Sequence, residues 1–228
     1  MTEEFVIRPI AHIESDFAEK FGIPRQAGIV PELTARIVFE PEYRAAEAFR
    51  GIEDFSHLWL IWQFSENLGA GWSPTVRPPR LGGNVRKGVF ATRSPFRPNS
   101  LGLSCVRLVR LEQDARLGPV LVVAGADLMD GTPIFDVKPY APYADSHPEA
   151  LSGFAPDAGH KLRVTLPPEL ERLVPADKRA ALIGVLANDP RPQYQHDSER
   201  LYALGFAGLN VKFTVDGEAL TVRAVEKA

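Results

Sequence analysis

Between Arg77 and Leu103 the chain gathers residue types that hold anions and planar rings. The segment Trp72-Ser73-Pro74-Thr75-Val76-Arg77-Pro78-Pro79-Arg80-Leu81-Gly82-Gly83-Asn84 combines prolines, which fix φ, with two glycines, which permit positive φ. Such a loop is shaped before any ligand arrives. Guanidinium groups on it offer two-pronged donors to phosphate at little ordering cost. A stiff turn whose arginines stack on Trp72 or pair with acids elsewhere would use the same residues. Further on, Arg93, Ser94, Phe96, Arg97, Asn99 and Ser100 crowd one turn. That mixture suits an adenosine-like ligand, which needs stacking and hydrogen bonds along its edge; a ligand-free rigid turn is the alternative.

Two further clusters carry polar groups. Asp127-Leu128-Met129-Asp130-Gly131, with Asp136, Lys138 and Tyr140 after it, ends an apolar run. A carboxylate there can accept hydrogen bonds from ribose hydroxyls or neutralise an ammonium or sulfonium, although Asp and Gly also make turns for backbone reasons alone. Asp189-Pro190-Arg191-Pro192-Gln193-Tyr194 follows a helical pattern. A helix stop explains its prolines, but not the Asp, Arg and Tyr side chains beside them.

Other chemistries find no support in the sequence. His12, His57, His147, His160 and His196 have no paired metal spacing and no HExxH, and Cys105 is the single cysteine, so disulfide, CxxC and zinc readings fail. Cys105 and His57 read as core residues. GxSxG, the Walker loop and a GxGxxG after a strand are all missing, so a nucleotide cofactor would sit outside the Rossmann arrangement. Charge is uneven: 67–111 holds no Asp or Glu and contributes +8 against a chain total of −3, leaving −11 for the remainder. An anion-binding face on an acidic body is the expectation.

The elements that must position these groups are mostly strands. At 228 residues, with 45% hydrophobic and 24% charged residues, the balance is globular, and 20 prolines favour strand ends and turns over long helices. Strands are predicted over 5–13, 33–39, 55–64 (covered on both faces), 88–92, 101–111, 119–128 and 134–137. A short helix over 41–50 presents Tyr43, Ala46 and Phe49 on one face and stops at Gly51. The reading is a mainly β N-terminal domain, 1–147, of barrel or sandwich spacing, joined through an Ala-, Ser-, Gly- and Pro-rich linker to a small α+β domain, 148–228, that needs the first for support. In the second domain helices are predicted over 167–173 and 176–187. A hairpin turns at Asp216-Gly217 in type I′ geometry. No run of about 18 apolar residues spans a bilayer, and the acidic start lacks secretory order, so a cytoplasmic address is expected.

Taken together, PRQ from Pro24, SHLWL from Ser56, GWSPTVRPPRLGGN from Gly71, GVFATRSPFRPNSLGLS from Gly88, DLMDGTPIFDVKPY from Asp127 and DPRPQY from Asp189 resemble the TrmO family, also called TsaA-like or YaeB-like. The resemblance implies a β-barrel N-terminal domain, a smaller C-terminal domain, a homodimer, and S-adenosylmethionine bound without a Rossmann fold. It implies methyl transfer to N6 of the threonylcarbamoyladenosine at position 37 of threonine tRNA. By the same resemblance, Pro24, Arg25, Gln26, Arg93, Leu103, Asp127, Leu128, Met129 and Asp130 contact the cofactor. Ser65 and Glu66 join them where a bacterial relative has His-Gln. Arg77, Arg80, Arg86, Lys87 and Arg97 are the expected RNA contacts. Asp189, Arg191 and Tyr194 are the candidates for holding the modified base, with Tyr194 or Asp189 taking the proton; methyl transfer needs alignment and a base but no metal. Two other readings share the motifs: a noncatalytic RNA-binding or regulatory protein that senses the cofactor, and a methyltransferase acting on a small phosphorylated metabolite.

Overall fold

The computed structural model describes residues 5–155, 159–191 and 197–228. Six antiparallel strands close on themselves: β1 (Ala11–Glu14), β2 (Thr34–Phe39), β3 (His57–Gln63), and, after the two-residue strands β4 (Thr75–Val76) and β5 (Lys87–Gly88), β6 (Leu101–Asp114), β7 (Gly118–Ala124) and β8 (Pro133–Pro139). The order around the barrel is β1-β2-β7-β6-β3-β8, and β4 pairs only with β5. Alternation decides which side chains enter it: Leu58, Leu60 and Trp62 of β3 are buried, while His57, Trp59, Ile61 and Gln63 are half-buried. Period 2 therefore rules β3, and the expectation of full cover on both faces was too strong. Ile13, Ile37, Val106, Leu121, Val123 and Ile134 are among the residues that share this core.

Several predicted elements are shorter or different. The strand over 5–13 reduces to β1; Phe5 and Val6 are 83% and 86% exposed. Pro9 has no N–H for a ladder, and β1 meets the end of β2 at the Ala11–Phe39 pair. In place of one helix over 41–50 there are two 3₁₀ turns, Pro41–Tyr43 and Ala46–Phe49, separated by extended Ala45. Arg44 lies in the break and donates its Nε–H to the Phe39 carbonyl (2.8 Å). Phe49 packs edge-on against Phe39, but Ala46 is exposed. The strand over 88–92 is a 3₁₀ turn, Val89–Ala91, after β5, which buries Val89 and leaves Phe90 75% exposed.

After α1 (Pro142–Asp145) come β9 (Arg163–Thr165), α2 (Pro168–Glu171), α3 (Arg179–Ala187), β10 (Tyr202–Phe206), β11 (Leu209–Asp216) and β12 (Ala219–Lys227). The sheet order is β10-β11-β12-β9. Asp216 pairs with Ala219, so the central turn residues are Gly217 and Glu218, not Asp216-Gly217. Only Gly217 has positive φ there, a pattern that belongs to type II′. The two positive φ values of a type I′ turn occur instead at Ala207 (51°) and Gly208 (72°), joining β10 to β11. The second hydrophobic core covers this sheet and α3, yet it includes Phe17, Val30 and Leu33 from between β1 and β2. Gly184 meets Val30 so closely that a Cβ would lie 2.6 Å from it. Lys178 and Asp16 add an ion pair of 2.7 Å, largely shielded from solvent. The C-terminal unit is thus supported by the segment between the first two strands.

Candidate functional site

At the mouth of the barrel, neighbouring strands deliver an aromatic floor. Trp62 near the end of β3 pairs with Gly102 near the start of β6, and the indole lies where a side chain at 102 would be: a Cβ there would sit 2.3 Å from the ring. Trp62 Nε1–H donates to the Ser104 hydroxyl (3.0 Å), which donates to Asp127 Oδ1 (2.6 Å). Ser104 is 2% exposed. A buried hydroxyl with both partners satisfied holds the ring and the carboxylate in one arrangement. Phe64 meets Trp62 edge-on at 4.3 Å.

A cavity of about 480 Å³ opens above this floor. Its walls come from the segment after β1 (Pro24, Arg25, Gln26), the turn after β3 (Ser65, Glu66), the turn before β6 (Arg93, Arg97), the start of β6 (Leu103) and the segment after β7 (Asp127, Leu128, Met129). Ten of the eleven residues expected to contact a cofactor therefore meet in one space. Burial pushes the Asp127 carboxyl up from its ordinary value, against the Ser104 hydrogen bond, the Ala27 N–H and the positive field of Arg93. Asp127 is half-buried and lines the cavity. Across the rim, Arg93 donates to the Gln26 side-chain oxygen, tying two walls together.

Asp130 is the exception. A turn in which the Thr132 N–H and hydroxyl both donate to the Met129 carbonyl (3.2 and 2.7 Å) reverses the chain. Asp130 then accepts the Ser15 N–H (2.9 Å) and faces a separate cleft with Asp16, Asp177 and Lys178. Arg97, expected as an RNA contact, lines the cavity and donates to the carbonyls of Thr92 (2.8 Å) and Ser94 (3.4 Å), bracing its own turn. Arg86 clasps the β4–β5 ribbon through Thr75, with bonds of 2.7 and 3.1 Å. Arg77 is exposed, Lys87 is half-buried in β5, and Arg80 is half-buried against Gly159.

Asp189 and Arg191 do not line the cavity. Arg191, 9% exposed, grips both oxygens of Asp189 with bonds of 2.8 and 2.9 Å. That bond is the main reason its guanidinium is held charged beyond its usual range, with further help from Tyr202. Asp189 has φ of 49°, a left-handed conformation that this two-pronged bond and its own N–H to Leu186 hold in place. Tyr194 lies outside the described residues. Trp62, Gly102 and Ser104 were missed by motif reasoning. The available signal was a serine amid the buried positions of a strand, which asks for a buried partner.

A model of the tRNA-methyltransferase O N-terminal domain matches residues 12–146, and one of the TrmO C-terminal domain matches 159–228. The chain is 41% identical to the tRNA (adenine(37)-N6)-methyltransferase of Escherichia coli K12, over 97% of this chain and 98% of that one. It is 39% identical to the mouse protein of the same name, over 68% of this chain but 34% of the longer relative. Among solved structures, TrmO from P. aeruginosa superimposes with a TM-score of 0.81 at 32% identity, covering 99% of both chains.

Proposed function

The chain belongs to the TrmO family, and from that premise we propose that it methylates N6 of adenosine 37 in tRNA, the adenosine carrying a threonylcarbamoyl group, with S-adenosylmethionine as methyl donor. The observation that carries this reading is the convergence of Pro24–Gln26, Ser65, Glu66, Arg93, Leu103 and Asp127–Met129 on one cavity. The residues fit such a ligand: its volume is that of a small-molecule site, its aromatic floor offers a face to a purine, and Asp127 and Arg93 offer one charge of each sign. When bound, the cofactor supplies an electrophilic methyl group on a sulfonium.

The chain's own residues divide the remaining work. Asp127, held by Ser104, accepts from the ligand's hydroxyls or faces its cationic end, and Arg93 offers donors to its carboxylate. Asp189 has both oxygens engaged by Arg191, so we assign acceptance of the N6 proton to Tyr194 acting as its phenolate. Arg77, Arg80 and Lys87 face the phosphates, with Arg86 shaping their ribbon. In line with the resemblance, the site that binds S-adenosylmethionine is non-Rossmann, and the protein acts as a cytoplasmic homodimer on threonine tRNA, with domains dividing near 147.

The test is to incubate the protein with S-adenosylmethionine and tRNA bearing threonylcarbamoyladenosine, then digest the tRNA and look for the N6-methyl nucleoside by mass spectrometry. Its formation is the expected result. Cofactor binding with no methylated tRNA would favour the sensing reading, and turnover of a small phosphorylated metabolite that tRNA does not inhibit would favour the other. Arg93→Ala is expected to raise the Kd for S-adenosylmethionine by about tenfold, the worth of a hydrogen bond to a charged group. Equilibrium dialysis of the free cofactor checks this without tRNA.

A further inference from the structure

Beside the cavity two large aromatic side chains are left in solvent on adjoining backbones. The Ser73 N–H donates to the Phe96 carbonyl (3.2 Å), which brings the backbone beside Trp72 onto that of Phe96. Phe96 in turn lies between Pro95 and Arg97, both of which line the cavity. Trp72 is 56% and Phe96 40% exposed, and among the described residues neither ring has an aromatic or cationic partner. Both belong to the acid-free stretch 67–111. The β4–β5 ribbon joins the same surface, because the Val89 N–H donates to the Pro74 carbonyl (3.0 Å), and it carries Arg77, Arg86 and Lys87.

We propose that Trp72 and Phe96 form a stacking platform for an unpaired nucleotide of the tRNA anticodon loop next to the adenosine that enters the cavity. The inference rests on the tRNA reading above and adds what that reading lacks, a contact with a base other than the one that is methylated. Positive charge without acids suits a polyanion. A two-fold contact with a second copy through the same patch would instead bring like charges face to face. Every base has a π face, so exposed aromatic rings within a basic surface fit single-stranded nucleic acid.

The experiment measures binding of an anticodon stem-loop by fluorescence anisotropy over a range of salt, for the full chain and for Trp72→Ala, Phe96→Ala, the double variant and Trp72→Phe. Cofactor affinity and molar mass in solution are measured in parallel. Each alanine variant is expected to bind about five- to a hundredfold more weakly, with the slope of log affinity against log salt unchanged, since no phosphate contact is lost. Trp72→Phe should recover most of the loss, and cofactor affinity should not move. Wild-type affinity in the double variant overturns the platform, as does a halved molar mass in the alanine variants, which would mark the patch as an interface between copies. If the unmodified protein fails to bind the stem-loop at all, the tRNA reading falls and the platform with it.

Discussion

Asp127→Asn should weaken S-adenosylmethionine binding by about ten- to a hundredfold and leave the remaining affinity insensitive to pH, the loss being that of a hydrogen bond to a charged group. The asparagine keeps the shape and can still accept from Ser104, so its effect isolates the charge. In the free protein burial raises the Asp127 pKa above its ordinary value of 3.8. A cationic ligand favours the carboxylate and pulls that pKa back down. Affinity should therefore fall as pH drops through the raised pKa, with a proton released on binding in that window. The stability of the free protein runs the other way. A raised folded-state pKa contributes stability that is complete below the unfolded value and is lost as pH rises through the folded one, so Asp127→Asn should be no less stable than the parent near neutral pH. Calorimetric titration from mildly acidic to neutral pH, with melting curves alongside, checks both signs; a pH dependence surviving in the asparagine variant would place the titrating group elsewhere.

Gly102→Ala should destabilise the fold by about 1–3 kcal/mol, the usual cost of forcing extra volume into a packed site, and abolish cofactor binding. The added methyl would meet three indole atoms at 2.3, 2.4 and 2.6 Å. The ring cannot swing away without giving up its bond to Ser104, so strand or floor must shift. Denaturant unfolding together with equilibrium dialysis reads the two effects. Adding Trp62→Phe, which shrinks the ring, should restore part of the stability but not the affinity. An alanine variant with parental stability and affinity would mean that the floor yields more easily than this packing implies.

Some of this was legible residue by residue. Alternation in Val211, Phe213 and Val215 marks a strand because side chains on a pleated backbone alternate sides whatever the rest of the chain does, whereas the continuous apolar run over 55–64 marks a strand but not which of its faces is buried. The motif blocks likewise carried the resemblance to the family, and ten of the residues that it implied as cofactor contacts line one cavity. Local pattern failed where distant groups decide the outcome. Pairing set the length of β1, and Val89 turned inward in a 3₁₀ turn instead of extending a strand. The residues of the Asp216–Ala219 turn followed from strand register, not from the Asp-Gly dipeptide.

What the amino-acid sequence determined by itself was therefore the inventory: mainly strands, a basic stiff stretch, the family and the side chains available for chemistry. Only the tertiary structure decided their partition. Arg77–Leu103, uniformly basic along the chain, divides into a cavity wall at Arg93 and Arg97 and an outer ribbon at Arg77, Arg86 and Lys87. Asp127 and Asp130, three residues apart, separate because one meets Ser104 on β6 and the other the Ser15 backbone after β1. Those partners are 23 and 115 residues away along the chain, so they come near only once the barrel has closed, and no local signal encodes which carboxylate each will hold.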